Sequence, residues 1–428
     1  MVTPMRNANR VVWFSLFAVF VFLAFNRNWK FGFYNYHDEI WADKAGYHVF
    51  LPATFIYHWD AAKMPPATDY NTGGGFRTDA WRNGILTKYP PGVAIMRVPF
   101  FLAAHAWALI SGAPADGFSP PYHAATIIAG VAYAFAGLYF VWRLLLLLNN
   151  RRMAWLGVIG TLLGTNLFYY VVEEPGLSHV YSFFLMAWLL WQLRLFQLSD
   201  KPLHLYSAAL AIGLIFSVRP VNMLFLSPFL LWWFAIHGRE RFSNVYLWLR
   251  AAAIAALPVL PWLFYRIYLE NHGFEPYGEE GFIYWRSPHV FKVLLAPENG
   301  FFPMSPFFLL LIPCLFILLR KTAGTYRSLA LTTGGIFALI TLTYASWWAW
   351  GLACGFGHRG FIDFYPLFLL TMMRPLADIW HRPAVRFSII SYVAICAAIV
   401  IPTSLHWPYC MEGPYWNWGR LLEIWATF

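Results

Sequence analysis

Apolar residues in this chain come in long, nearly unbroken runs, separated by short connections carrying Arg, Lys, Asn and Pro. They show neither the two-residue alternation of a half-buried strand nor the narrow stripe of a soluble helix. A helix of about 20 apolar residues crosses a hydrocarbon core of about 30 Å. Eleven runs are read as spans: 11–26, 121–148, 153–172, 177–198, 203–218, 220–237, 246–268, 306–320, 328–349, 360–374 and 385–404. The fold class expected is an all-α polytopic membrane protein, one integral domain over residues 1–428. The pair 203–218 and 220–237 is broken by Arg219-Pro220. Proline lacks the amide donor and pushes the residue before it out of the helical region, so this pair reads as a hairpin with a wet turn.

One further run, Gly92 to Ile110, decides the topology. It is entered through Lys88-Tyr89-Pro90-Pro91 and carries Arg97 and His105. An arginine near a span centre costs about 2.5–3.5 kcal/mol on the insertion scale, so this helix is placed in the interface. With it excluded, Arg143, Arg151, Arg152, Arg194, Lys201, Arg320, Arg374 and Arg386 fall on the same side as the N-terminus. The positive-inside bias then makes that side cytoplasmic and puts the C-terminus outside. Three outer segments result: 27–120, structured and containing interfacial helices; 269–305; and a tail, 405–428. In the tail, Trp407, Tyr409, Tyr415, Trp416 and Trp418 suit packing at the headgroup level. The location expected is the inner (plasma) membrane.

Composition agrees. Of 428 residues, 60% are hydrophobic and 12% charged, with mean hydropathy +0.52. Those values exclude an ordinary soluble globule and a disordered chain. A net charge of +10 would suggest nucleic acid in a soluble protein, but here the basic residues mark the connections between spans. The Thr3–Phe25 stretch has the charges and apolar core of a signal peptide but runs on into Asn26–Lys30 without a small-residue cleavage site, so it reads as an uncleaved first span. Cys314 and Cys396 read as small core residues. Cys354 and Cys410 lie outside, where a disulfide between them is allowed but unsupported. No Walker loop, Rossmann glycine pattern, Gly-x-Ser-x-Gly elbow or His-Glu-x-x-His occurs. The 13 histidines are scattered and form no stripe for a metal.

Two acidic groups stand out at span ends. Asp38-Glu39 follows the first span, within Tyr34–Trp41. Adjacent carboxylates at a membrane boundary can bind a divalent cation or accept a proton, and partial burial lifts a base toward neutrality. Successive helical residues point about 100° apart, so one of the two faces a site. Glu173-Glu174-Pro175-Gly176-Leu177-Ser178-His179 lies between two very apolar runs, and such a group needs water or a ligand. On the same face, Lys88, Arg97, Arg219, Arg266, Arg286 and His358-Arg359 could hold a phosphate, which arginine forks match bidentately. The plainer readings are a solvated helix start, a capped turn, and cations snorkelling to lipid headgroups.

The order of these features resembles the glycosyltransferase C superfamily, in particular bacterial relatives of protein mannosyltransferases and of the aminoarabinose transferase of lipid A. The resemblance rests on one span followed by Asp38-Glu39, on Lys88-Tyr89-Pro90-Pro91-Gly92 leading into an interfacial helix, and on Arg151-Arg152 and an acidic turn after the next span. Ser178–Phe183 and Arg219-Pro220-Val221-Asn222 extend it; beyond about residue 235 only the hydropathy and Gly357-His358-Arg359 agree. It implies a polyprenyl-phosphate sugar (undecaprenyl in bacteria) as donor, entering from the bilayer, and a glycan, lipid or protein hydroxyl as acceptor on the outer face, with inversion at the sugar. The base maps onto Asp38 or Glu39, leaning to Asp38, and a second acid onto Glu173 or Glu174. Lys88, Tyr89, His179, Arg219, Asn222, His358 and Arg359 map onto substrate binding. Some members of the superfamily use a divalent metal, and this sequence leaves that cofactor open.

Elementary chemistry points the same way. A lipid phosphate leaves without protonation and needs only charge stabilisation, whereas an attacking hydroxyl needs a base within reach. The competing functions are a polyprenyl-linked glycan ligase or polymerase, a flippase or transporter, and a structural or receptor role. A transporter would place charges near mid-bilayer and show related halves; here the ionisable residues sit near span ends, Asp363 excepted, and no internal repeat is seen.

Overall fold

In lipid, a helix satisfies every backbone N–H and C=O within its own segment. In the computed structural model of this chain, helices occupy the apolar runs. The structure describes residues 7–238, 244–320, 324–352, 355–407 and 417–427. Cys354 and Cys410, between which the sequence allows but does not support a disulfide, and the tail aromatics Tyr409, Tyr415 and Trp416 lie outside those residues.

Among the described residues, five helices are long and apolar enough to cross a membrane: Asn9–Trp29, Gly92–Ser111, Pro120–Leu148, Thr325–Ser346 and Pro383–Leu405. Taking the broken pair Val245–Ala256 and Val259–Asn271 as one span gives six. Other expected spans form as shorter pieces, among them Arg151–Leu163 followed by Leu167–Val172, Pro202–Val218, and Val221–Trp233. Ser178–Ser199 has the length, but Gln192, Arg194 and Gln197 dilute its apolar character. Arg219 is extended (φ −151°, ψ 93°), as the following proline requires.

Gly92–Ser111 passes the length and apolarity test although the sequence places it in the interface. The argument that kept it out of the bilayer loses its premise, because Arg97 is 1% exposed and never meets lipid. Its Nε donates to the Tyr181 hydroxyl (2.7 Å), its Nη2 donates to the Gly176 carbonyl, and the guanidinium lies 5.0 Å from the Tyr181 ring centre. Arg97 is therefore packed against Tyr181 and the Gly176 turn inside the protein.

The contacts divide the chain into two compact units. The first comprises residues 1–136, 170–181 and 260–276. Its segment 30–119 contains short helices such as Asp43–His48 and Phe50–Phe55. It also holds an antiparallel hairpin, Arg77–Asp79 with Gly84–Leu86, which departs from an all-α reading. Ile40, Leu51, Tyr57, Ile85 and Phe118 share one buried cluster with Tyr265 and Leu269. The Tyr265 hydroxyl accepts from the Thr87 amide (2.7 Å), and the Tyr268 hydroxyl accepts from the Ile85 amide (2.9 Å). Gly75 has no substitute here: a Cβ would sit 1.7 Å from the Ala42 carbonyl oxygen. That close approach holds Ala42 at φ 49°, ψ −122°, a strained conformation just before helix Asp43–His48.

The second unit comprises residues 137–169, 182–259 and 277–428. Its core is aromatic, with Phe301 4.3 Å from Phe361 and Phe308 4.4 Å from Tyr365 between ring centres. Cys314 and Cys396 are buried and free, as expected of core residues.

Candidate active site

Both acidic groups fold into the first unit. Asp38 sits in the turn after helix Asn7–Trp29 and is fully buried. Its Oδ2 accepts from the Tyr34 amide (2.7 Å) and its Oδ1 from the Ile40 amide (2.8 Å). His123, in the first turn of helix Pro120–Leu148, places Nδ1 2.8 Å from Asp38 Oδ1 and 3.0 Å from Glu39 Oε1. Burial alone would raise the Asp38 carboxyl; the contact with His123 and the two amides outweigh it and hold the group below its ordinary value. Both carboxylates of the doublet face the same partner, so the expectation that only one points inward does not hold. The turn is not helical, and the 100° rule does not govern it.

The second acidic group closes over the first. A Cβ on Gly176 would lie 2.4 Å from the Glu39 carbonyl oxygen, so the two turns touch backbone to backbone. Lys44, 1% exposed, places Nζ 2.9 Å from Glu174 Oε2. Glu173 pairs with Arg27 at the end of the first helix. Burial pushes the Glu173 carboxyl up to about 7, and the Glu174 charge adds to this against Arg27 and Lys30. His37 is driven down to about 4 by burial and by Arg27, Lys44 and Lys30. His179 is buried, its ring 5.6 Å from that of Tyr170.

Lys88 and Tyr89 lie in the same unit but line a different space. They border a cavity of about 350 Å³ with Asp43, Gly74, Arg77 and Phe274, and the four acidic residues are not in its wall. The Tyr89 hydroxyl donates to Asp43 Oδ1 (2.5 Å).

In the second unit, Arg219 Nε lies 3.1 Å from Asp363 Oδ2, and Arg219 Nη2 donates to the Tyr344 hydroxyl (3.0 Å). Asn222 Nδ2 donates to the same Asp363 oxygen (2.8 Å). The buried His358 ring lies 5.0 Å from Tyr344, and its Nε2 donates to the Trp350 carbonyl (3.0 Å). Arg219, Asn222 and His358 thus belong to one cluster around Asp363 and Tyr344, with Arg359 beside it in sequence and half-buried.

Solved structures match over nearly the whole chain, among them two of ArnT. ArnT from Cupriavidus metallidurans in the apo state gives a TM-score of 0.53 at 14% identity, covering 95% of this chain and 67% of that one. ArnT from the same organism bound to undecaprenyl phosphate gives 0.56 at 15% identity, covering 96% and 68%. The chain has the ArnT fold. Neither protein-family models nor curated proteins give a match. The ArnT fold therefore comes from structural likeness, with the roles of individual residues left to the geometry above.

Within this ArnT-like chain, one group of three donors among the described residues converges closely enough to hold a metal. Asp38, Glu39 and His123 have one ligand atom each within 4.8 Å of the others, all buried. Glu39 Oε1 and His123 Nδ1 have no aligned hydrogen bond. The residues therefore fit the divalent ion that the superfamily resemblance leaves open.

Sequence reasoning missed His123 and Lys44. The histidines are scattered along the sequence, yet His123 lies in the first turn of helix Pro120–Leu148, folded against the turn that carries Asp38-Glu39. Pairing span ends that share a side, rather than searching for ligands spaced along one helix, would have found it. Lys44 follows the acidic doublet by five residues, and its role depends on a turn that no local pattern announces.

Proposed function

We propose that this chain transfers a sugar from a polyprenyl-phosphate donor, such as an undecaprenyl-phosphate sugar, to an acceptor hydroxyl on the external face of a plasma membrane. The observation that carries the reading is the convergence of two acidic groups over 130 residues apart in the chain, on a fold whose ArnT example is bound to undecaprenyl phosphate. Apolar helices long enough to span a bilayer suit a lipid-linked substrate.

The roles differ from a simple choice of Asp38. Both Asp38 oxygens are already engaged by amides and His123, and its pKa is held below the ordinary value, which makes it a poor proton acceptor. Glu174 is neutralised by Lys44. Glu173, with a proton affinity near 7, is the carboxyl suited to take the acceptor's hydroxyl proton near neutrality. Arg27 orients it and stabilises the charged form. Arg219, which the resemblance maps onto substrate binding, is held within the second unit by Asp363 and Tyr344.

The test is an assay of the purified protein with a panel of polyprenyl-phosphate sugars, following release of the polyprenyl phosphate and appearance of glycosylated acceptor. Turnover that disappears in Glu173→Gln supports the reading. Lipid movement across the bilayer without sugar transfer would instead select the flippase. Side-specific labelling of cysteines introduced at position 81, where Trp81 is fully exposed, and near residue 420 checks the proposed face: both must react from outside.

A further inference from the structure

We propose that Asp38, Glu39 and His123 form a closed binding site for one divalent cation of the first transition series. The inference concerns carboxylates named in the transfer reading but rests on their own geometry, and its test is a binding measurement that a failed transfer assay leaves untouched.

The argument starts from His123. Its Nε2 lies 2.8 Å from the Phe118 carbonyl, which can only accept, so Nε2 carries the proton. The other nitrogen, Nδ1, faces two carboxylate oxygens at 2.8 and 3.0 Å. A lone pair against two carboxylates is repulsive, so a cation belongs between them. A proton on Nδ1 is one candidate, but neither oxygen lies along the direction in which that N–H would point. Donors about 3 Å apart and off each other's axis are the arrangement of neighbouring ligands on a metal ion about 2.1 Å from each. The Phe118 contact is the support a metal-bound imidazole commonly has: its second ring nitrogen donates to a carbonyl, which fixes the tautomer. Phe33, with its ring centre 4.3 Å away, holds the ring from one face. His123 also sits in the first turn of a 29-residue helix, where the dipole disfavours an imidazolium.

The donor chemistry sets the class of ion. Two carboxylates and an imidazole suit Mn²⁺ or Zn²⁺ better than Mg²⁺, which prefers oxygen and water. Asp38, Glu39 and His123 are each at most 2% exposed, so the site is closed and its function is positional. A bound ion supplies the positive charge that two adjacent buried carboxylates lack, and it pins the 34–40 turn to the start of helix Pro120–Leu148. Glu173 remains as the carboxyl able to exchange a proton.

The probe is Mn²⁺ alone, added to the purified full chain after dialysis against EDTA. Binding near one equivalent is expected by electron paramagnetic resonance, with competition by Zn²⁺ and little by Mg²⁺. Electron spin echo modulation of the bound Mn²⁺ should show one imidazole nitrogen, a readout that needs no variant. His123→Asn and Glu39→Gln should weaken binding at least about 10-fold. Absence of stoichiometric binding, absence of the nitrogen signal, or unchanged affinity in a folded His123→Asn would each overturn the proposal. So would nitrogen NMR showing His123 protonated at both ring nitrogens in protein saturated with Mn²⁺'s diamagnetic competitor Zn²⁺.

Discussion

Glu173 gives the sharpest handle on the reaction, because its surroundings set a pH at which activity should change. The carboxyl is 8% exposed, and burial lifts it from 4.5 to about 7. A general base works only when ionised, so about half the molecules are competent at pH 7, about a tenth at pH 6 and about a hundredth at pH 5. The rate with a polyprenyl-phosphate sugar should therefore fall tenfold per pH unit below about 7 and level off above it. Four charged neighbours bear on this limb: Arg27 and Lys30 favour ionisation, Glu174 opposes it, and Lys44 screens Glu174. Arg27→Gln should move the limb to higher pH, and Glu173→Gln should remove it together with a factor of about 10²–10⁴ in rate. Stability supplies a second signature. A carboxyl with a raised folded value binds its proton more tightly when folded, so its contribution is complete below pH 4.5 and is lost as pH rises through about 7. At about 1.4 kcal/mol per unit, the loss is roughly 3 kcal/mol, and Glu173→Gln should flatten it. A transfer rate independent of pH between 5 and 8, or a limb that stays put in Arg27→Gln, refutes the assignment.

Three further outcomes follow from other contacts. Lys44→Met leaves Glu174 buried without its cation and should destabilise the protein by about 3–5 kcal/mol, read as a lower unfolding temperature in detergent; an unchanged midpoint would mean the pair is hydrated. Gly176→Ala drives a methyl toward the Glu39 carbonyl and should cost about 1–3 kcal/mol, with loss of transfer even where the protein remains folded. Arg219→Ala should raise KM for the lipid donor more than KM for the acceptor; equal effects on both would mark the Arg219–Asp363 pair as purely structural.

Much of this was legible in the sequence. Long apolar runs gave the class and most helix positions, since burying backbone polar groups in lipid leaves helix as the only open form. The acidic groups were found because carboxylates beside apolar runs need a partner. What escaped were the partners. Arg97 is among the cations the sequence allows as phosphate ligands; the Tyr181 hydroxyl and Gly176 carbonyl that bury it come from 84 and 79 residues away. Lys44, His123 and Asp363 are likewise defined by tertiary contacts that no periodicity encodes. The hairpin at 77–86 escaped because its two strands have three residues each, too few for an alternation to register.

The first unit is assembled from pieces made at very different moments. Asp38 leaves the ribosome early, but the acidic turn that covers it, and Tyr265 and Tyr268 that bind Thr87 and Ile85, come up to about 230 residues later. At about 5–20 residues per second, the outer segment waits roughly 10–50 s for its last strut. Its buried carboxylates stand open until the 173–176 turn is made, and its core tyrosine sites through the whole interval, so a chain stalled before residue 260 should be a substrate for quality-control proteases.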